Sequence, residues 1–268
     1  MSGRAELATI SGLITYRRYI VANALNEVRT RYAGTSLGIA WHIMYPLTIV
    51  FVLGAVLSGA FPTTNSRLGG VGASLSIACG LLPWLALSDA LSRGTNSLVE
   101  HSLYLRKLSI PEEVYIAKSI LASSIYCATL LLFLCVLVAL SGHFHPIQLA
   151  LLPVVAILLL MLAFGLSLAL SPLNVLMRDV GQTLPLLLQL GMWLSPVLYP
   201  AELMPYGLAA LQAVNPFSPF LAAIRSLMLD GMAPGIWTWF AMIGWAAGSC
   251  IIGAGILQKV RAELRDNL

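Results

Sequence analysis

From Ser119 to Met177 the chain runs for 59 residues without a single Lys, Arg, Asp or Glu. A stretch of that kind has nothing with which to build a water-facing surface. A soluble domain carries roughly 25% charged residues, whereas this chain carries 10% against 59% hydrophobic. About 20 consecutive apolar residues cross the hydrocarbon core of a bilayer as a helix, so the run is long enough for two crossings. In its middle, Ser141-Gly142-His143-Phe144-His145-Pro146 supplies the turn, because Gly, Pro and two His would break a helix there. A membrane β-barrel would repeat short alternating segments, and none recur. The sequence predicts an all-α polytopic membrane protein with residues 1–268 as one transmembrane domain.

Six spans follow from the remaining apolar runs: about 36–60, 72 through Asn96, 114–140, 147–171, 181–198 and 236–258. Residues 4–32 mix Leu7, Ile10, Leu13 and Ile14 with interspersed arginines, which predicts one or two amphipathic helices lying in the membrane interface. The section from Pro196 to Pro234 holds six of the fourteen prolines. Internal prolines there argue against a seventh span and for two short re-entrant helices over 200–234, which membranes tolerate where protein shields the backbone.

Charge sets the orientation. With both termini, 89–118 and 174–179 cytoplasmic, 13 of the 15 Lys and Arg residues lie inside and only Arg67 and Arg225 fall outside. That is the positive-inside distribution. The N-terminal residues lack the compact apolar core of a cleavable signal peptide. Cys79, Cys127, Cys135 and Cys250 sit in apolar runs without CxxC spacing, as buried small hydrophobes do. Basic residues flank spans and form no dense patch, so nucleic acid is not an expected partner.

A polar island, Glu100-His101-Ser102-Leu103-Tyr104-Leu105-Arg106-Lys107-Leu108-Ser109-Ile110-Pro111, separates the second and third spans. On this topology it lies in water, where a soluble partner can reach it; the plainer reading is an ordinary positive-inside loop. Asp89 and Arg93 stand four apart on the second span and can pair, with Asn96 and Glu100 continuing the stripe. Such a pair is either a relay that exchanges partners or a static means of satisfying buried charge. Arg178 and Asp179 form a second contact point or a simple loop pair. Trp41 and Tyr45 share a face of the first span and Trp84 lies in the second; aromatic rings there either line a conduit or anchor the helices at the interface. Tyr199, Glu202 and Arg225 are candidates for an outer gate, or for a cap on the re-entrant hairpin.

Catalytic sets are missing from the sequence. No Gly-Lys-Ser or Gly-Lys-Thr occurs, so the chain has no Walker cradle for nucleotide phosphates. His42, His101, His143 and His145 show no metal-type spacing with carboxylates, and no GxSxG appears. Mid-membrane acidic residues of the kind that ion-coupled carriers use are also lacking.

Several motifs carry a family resemblance. Arg31-Tyr32-x-Gly34-x-x-Leu37-Gly38-x-x-Trp41 with Pro46-Leu47 resembles the entry to the first span in ABC-2-type polysaccharide export permeases. Gly80-Leu81-Leu82-Pro83-Trp84 and the segment from Ser92 to Glu100 resemble second-span signatures of that family. Leu105-Arg106-Lys107-Leu108-x-Ile110-Pro111 is similar to its cytoplasmic coupling segment, here 100–111. Leu173-Asn174-Val175-x-x-Arg178-Asp179-Val180, Ser195-Pro196-Val197-x-Tyr199 and Asn215-Pro216 extend the likeness along nearly the whole chain, while His101 and Tyr104 depart from the family's smaller or amide residues.

The resemblance implies a homodimer paired with two copies of an ATPase subunit, which alone would bind ATP and Mg. The assembly would export a lipid-linked O-antigen, capsule or teichoic-acid-like polymer across the bacterial cytoplasmic membrane. Glu100, Leu103, Tyr104, Arg106 and Lys107 would then dock in the ATPase, with Leu105 and Leu108 filling its groove and Arg178 and Asp179 as a second contact. The chain itself would be no enzyme and need no cofactor. Two rivals stay open: an ABC-2 exporter of a small molecule or drug, and a polytopic scaffold or enzyme acting on lipid-linked sugars. Such an enzyme should carry paired carboxylates; Glu112-Glu113, following Pro111, reads instead as favourable charge at a helix N-terminus.

Overall fold

The computed structural model describes residues 12–32, 40–58, 72–107, 110–142, 145–199 and 211–267. Among them every regular element is helical: α1 Arg17–Tyr32, α2 Trp41–Ser58, α3 Gly72–Glu100, α4 Ser102–Lys107, α5 Glu112–Leu140, α6 Pro146–Leu176, α7 Asp179–Leu194, α8 Ser218–Arg225 and α9 Ile236–Asn267. Four stretches, Ser74–Glu100, Glu112–Leu140, Pro146–Leu176 and Ile236–Arg261, are long and apolar enough to cross a membrane, while the apolar stretch Met44–Val56 is shorter. At 1.5 Å per residue the 29 residues of α5 reach about 43 Å, beyond the roughly 30 Å of hydrocarbon.

Local chemistry explains where these helices stop. Pro111, extended at φ −58 and ψ 143, immediately precedes α5. At the far end Gly142 takes φ 78, a left-handed conformation that costs glycine nothing. Its N–H donates to Ala139 O at 3.1 Å, closing the helix with a carbonyl otherwise left bare. Pro146 opens α6, where its missing N–H is no loss, and Gln148 Oε1 accepts the His145 N–H at 3.1 Å. The fifth apolar run was expected to stay helical to Leu198, but α7 ends at Leu194. Ser195 is extended (φ −89, ψ 147) because the ring of Pro196 disfavours helical backbone in the residue before it.

α3 is the most enclosed of the long helices, and α5 and α6 pack on it. Leu81, Leu82 and Leu98 of α3 meet Leu130 and Leu134 of α5, Leu159 and Leu162 of α6, and Phe217 and Phe220 in one apolar cluster. Lipid tails are as apolar as leucine, so close contact rather than escape from water must hold such helices together. The α6–α9 pair achieves it with glycine. A methyl group on Gly253 would overlap the Gly165 carbonyl, and one on Gly165 would overlap the backbone at Ser249–Cys250. The two backbones therefore touch directly.

The expected interfacial helix over 4–32 is described from Gly12 onward. A helical start at 12–15, with Ile14 exposed, leads into α1, whose Ile20 and Ala24 are buried while Val21 and Leu25 are exposed. Of the expected hairpin over 200–234, residues 200–210 lie outside the described residues; 211–214 form one helical turn and α8 follows. Asn215 Oδ1 accepts the Phe217 N–H at 3.0 Å and turns the chain into α8. α8 buries Phe220, Leu221, Ala223 and Ile224 and continues as a π-turn, Ser226–Asp230, closed by Gly231 at φ 65. The thiols of Cys79, Cys127, Cys135 and Cys250 are free, the first three buried.

Candidate functional site at the polar end of the bundle

Most of the described ionisable side chains gather where α3, α6 and α9 end and α5 and α7 begin. Along α3, Arg93 Nε donates to Asp89 Oδ1 at 2.7 Å, forming the pair that their spacing allows. One turn on, Asn174 of α6 ties its own helix to two others, α3 and α7. Its Nδ2 donates to Asn96 Oδ1 at 3.0 Å and to Thr95 O at 3.2 Å, and its Oδ1 accepts the Gly181 N–H of α7 at 2.8 Å. Ser97 Oγ and Ser171 Oγ lie 3.3 Å apart beside it. The exposed Arg178 and Asp179 are thereby held next to the last turns of α3.

At His101 the chain bends from α3 into α4. The His101 N–H donates to Ser97 O at 3.2 Å, while the Tyr104 and Leu105 N–H groups both donate to His101 O at 3.0 Å. Glu100 is exposed, Leu103 is 69% and Tyr104 57% exposed, and Lys107 is exposed. Arg106 lies within the same helix. Leu105, expected to fill a partner's groove, is half-buried and packs in part against the chain's own core. Leu108 lies outside the described residues.

Two ion-pair groups join this end to the rest. Lys118 Nζ of α5 lies 2.6 Å from His101 Nε2 and 3.2 Å from Glu27 Oε2 of α1. Arg261 of α9 places Nε 3.0 Å from Glu112 Oε2 and Nη2 2.6 Å from Glu113 Oε2. A methyl group on Gly12 would come within 3.2 Å of Glu113 Oε1, so the start of the N-terminal helical region lies over the same group. A polar cavity of about 330 Å³ opens among Glu27, Thr30, Arg93, Glu100 and His101. Among the described residues no three of His, Cys, Asp or Glu are grouped to hold a metal ion.

The remaining candidates are spread elsewhere. Trp41 opens α2, and Tyr45 on the same helix is 59% exposed. Trp84 is buried within α3 and meets Phe217 edge-on, with ring centroids 4.9 Å apart, so within one chain it packs the core. At the opposite end of the bundle, Arg225 Nη2 donates to Pro196 O at 2.6 Å and to Tyr199 O at 3.1 Å, beyond the last turn of α7. Tyr199 Oη donates to Trp193 O at 3.2 Å. Glu202 lies outside the described residues.

Sequence reading missed Glu27, Lys118, Asn174 and Arg261 as members of this site. One signal was present: Glu112, Glu113 and Lys118 are charges at the start of an otherwise uncharged helix, and buried charge demands a partner. Where those partners sit in the sequence could not be read locally.

Long apolar helices crossing as a bundle, with ionisable groups concentrated at one end, define a multi-pass α-helical membrane protein. The chain belongs to the ABC-2 type transporter family, whose sequence pattern matches residues 18–229. It is 24% identical over 269 residues to the O-antigen export system permease protein RfbA of Myxococcus xanthus, covering 96% of this chain and 97% of that protein. It is 21% identical over 217 residues to a protein of the same name from Klebsiella pneumoniae, covering 77% and 78% of the two chains. The polysialic acid transport protein KpsM of Escherichia coli is 22% identical over 226 residues, covering 82% and 85%.

Proposed function

We propose that this chain is the membrane-spanning permease subunit of an ATP-driven exporter. Its cargo is a lipid-linked polysaccharide of the O-antigen or capsule kind, moved across the bacterial cytoplasmic membrane. The observation that carries this reading is the end-to-end likeness to an O-antigen export permease, covering 96% of this chain.

The finer architecture belongs to the same reading. Six spans, with α2 and α7 as the shorter first and fifth, put both termini and the polar end in the cytoplasm. The exposed apolar residues Ile14, Val21 and Leu25 fit α1 and its helical start to the lipid interface. Two copies form a homodimer around the conduit, and two ATPase subunits, which hold ATP and Mg, dock beneath it. Glu100, Leu103, Tyr104, Arg106 and Lys107 form the docking surface, supported by the exposure of Leu103 and Tyr104 on a short helix. Arg178 and Asp179 form the second contact. Asp89, Arg93 and Asn96 carry the movement along α3, and Trp41 and Tyr45 face the sugar rings. Trp84, packed on Phe217, supports the outer half of that wall. Tyr199, Glu202 and Arg225 close the outer mouth.

ATP binding and hydrolysis in the partner then drive rigid-body movement of two symmetric subunits. The test is ATP-dependent accumulation of the lipid-linked polymer in inverted membrane vesicles containing the chain and its cognate ATPase. Accumulation that needs both proteins supports the reading; ATP-independent accumulation, or none, removes it.

A further inference from the structure

Three helices that are separate in sequence meet at one nearly buried lysine. Lys118, 6% exposed, sits two turns into α5. It reaches Glu27 of α1 at 3.2 Å and His101, the hinge between α3 and α4, at 2.6 Å. The tautomer follows from the geometry. His101 Nδ1 lies 2.8 Å from Ser97 O, and a carbonyl oxygen only accepts, so Nδ1 carries the proton. Nε2 therefore presents its lone pair to the ammonium, which supplies the donor. The ring also lies near Tyr115 and Tyr104, at centroid distances of 5.7 and 6.2 Å.

We propose that Lys118 is a positioning residue that fixes the N-terminal helix α1 to the α3–α4 hinge, so that the two move as one unit when the docking helix is displaced. The functional half of this inference rests on the exporter reading above. Two features favour the link over incidental contact. The outer side of the group faces the cavity lined by Glu27, Thr30, Arg93, Glu100 and His101, so open volume rather than packed apolar side chains adjoins it. Apolar packing seats α1 on α5 through the buried Ile20 and Ala24, and the polar contacts of Lys118 add the direct link from α1 to the hinge. Lys118 also stands alone as a cation on α5, at the edge of the uncharged 119–177 run, and its burial demands these partners.

The test uses the full chain in lipid nanodiscs, with native cysteines replaced and spin labels at the exposed positions Leu25→Cys on α1 and Leu103→Cys on α4. The starting protein should give one narrow distance distribution. Lys118→Met should broaden it, and so should Glu27→Gln, which leaves α4 untouched; Lys118→Arg should keep it narrow. An unchanged distribution in Glu27→Gln or Lys118→Met overturns the proposal, and this readout needs no partner or cargo. With the ATPase present, polymer exported per ATP should fall about fivefold or more in Lys118→Met and Glu27→Gln and recover in Lys118→Arg. Broadened distances with unchanged export per ATP would reduce Lys118 to a structural tie and refute the coupled movement. Failure of the unaltered complex to export would count against the exporter reading, while the distance measurement still decides the link.

Discussion

Arg261 Nη2, near the end of the last helix, lies 2.6 Å from Glu113 Oε2, 148 positions earlier in the chain. The same guanidinium also faces Glu112, and both carboxylates are almost wholly buried. Removing one partner of a buried pair leaves charge without compensation, at a cost of about 3–5 kcal/mol. Arg261→Met should therefore lower the thermal unfolding midpoint markedly in nanodiscs. Adding Glu112→Gln and Glu113→Gln to it should recover much of the loss, since the stranded charge is then gone.

Asn174 joins α3, α6 and α7 through three hydrogen bonds. Asn174→Leu would take away the partners of Asn96 Oδ1 and of the Gly181 N–H, a loss of about 2 kcal/mol. Asn174→Asp keeps the acceptor for Gly181 but places a carboxylate against Thr95 O and Asn96 Oδ1, and should be at least as harmful. Denaturation in mild detergent, followed by tryptophan fluorescence, checks both.

The backbone contact of α6 with α9 leaves no room for side chains. Gly253→Leu should force the helices apart and destabilise by roughly 1–3 kcal/mol or more. Gly244→Leu, on the same helix with open space around it, should be close to neutral. Equal effects at the two positions would contradict the close approach.

Arg225 holds carbonyls beyond the end of α7 that the residues after Leu194 cannot bond within a helix. Arg225→Met should raise amide hydrogen exchange and protease sensitivity across 195–199. Tyr199→Phe removes one longer bond and should change stability by less than about 0.5 kcal/mol.

Charge placement and proline made the helices themselves legible. An uncharged run broken at Gly142 and Pro146 specifies α5, a turn and α6, because nothing in those residues offers an alternative to helix in an apolar medium. The Asp89–Arg93 pair was equally readable, being four apart on one helix. What sequence left hidden is long-range. Glu112 and Glu113 looked satisfied by their own helix N-terminus, yet Arg261 grips them from the other end of the chain. For Trp84 the sequence offers a conduit lining or an interface anchor, and its edge-on contact with Phe217, far away in sequence, could not be read locally. Leu105 belonged by pattern to the docking stripe but is half-buried and packs in part against the core. Each of these depends on which helices become neighbours rather than on local propensity; Gly165 against Gly253 sets one such pairing, α6 with α9.

The most direct test of the account is ATP turnover by the chain reconstituted with its cognate ATPase in lipid nanodiscs, compared between the unaltered protein and Arg106→Glu with Lys107→Glu. The account predicts that the unaltered complex assembles and hydrolyses ATP, and that reversing these two charges on α4 dissociates it or uncouples hydrolysis from export. A double variant that assembles, turns over and exports like the unaltered complex would contradict the docking role of the polar island.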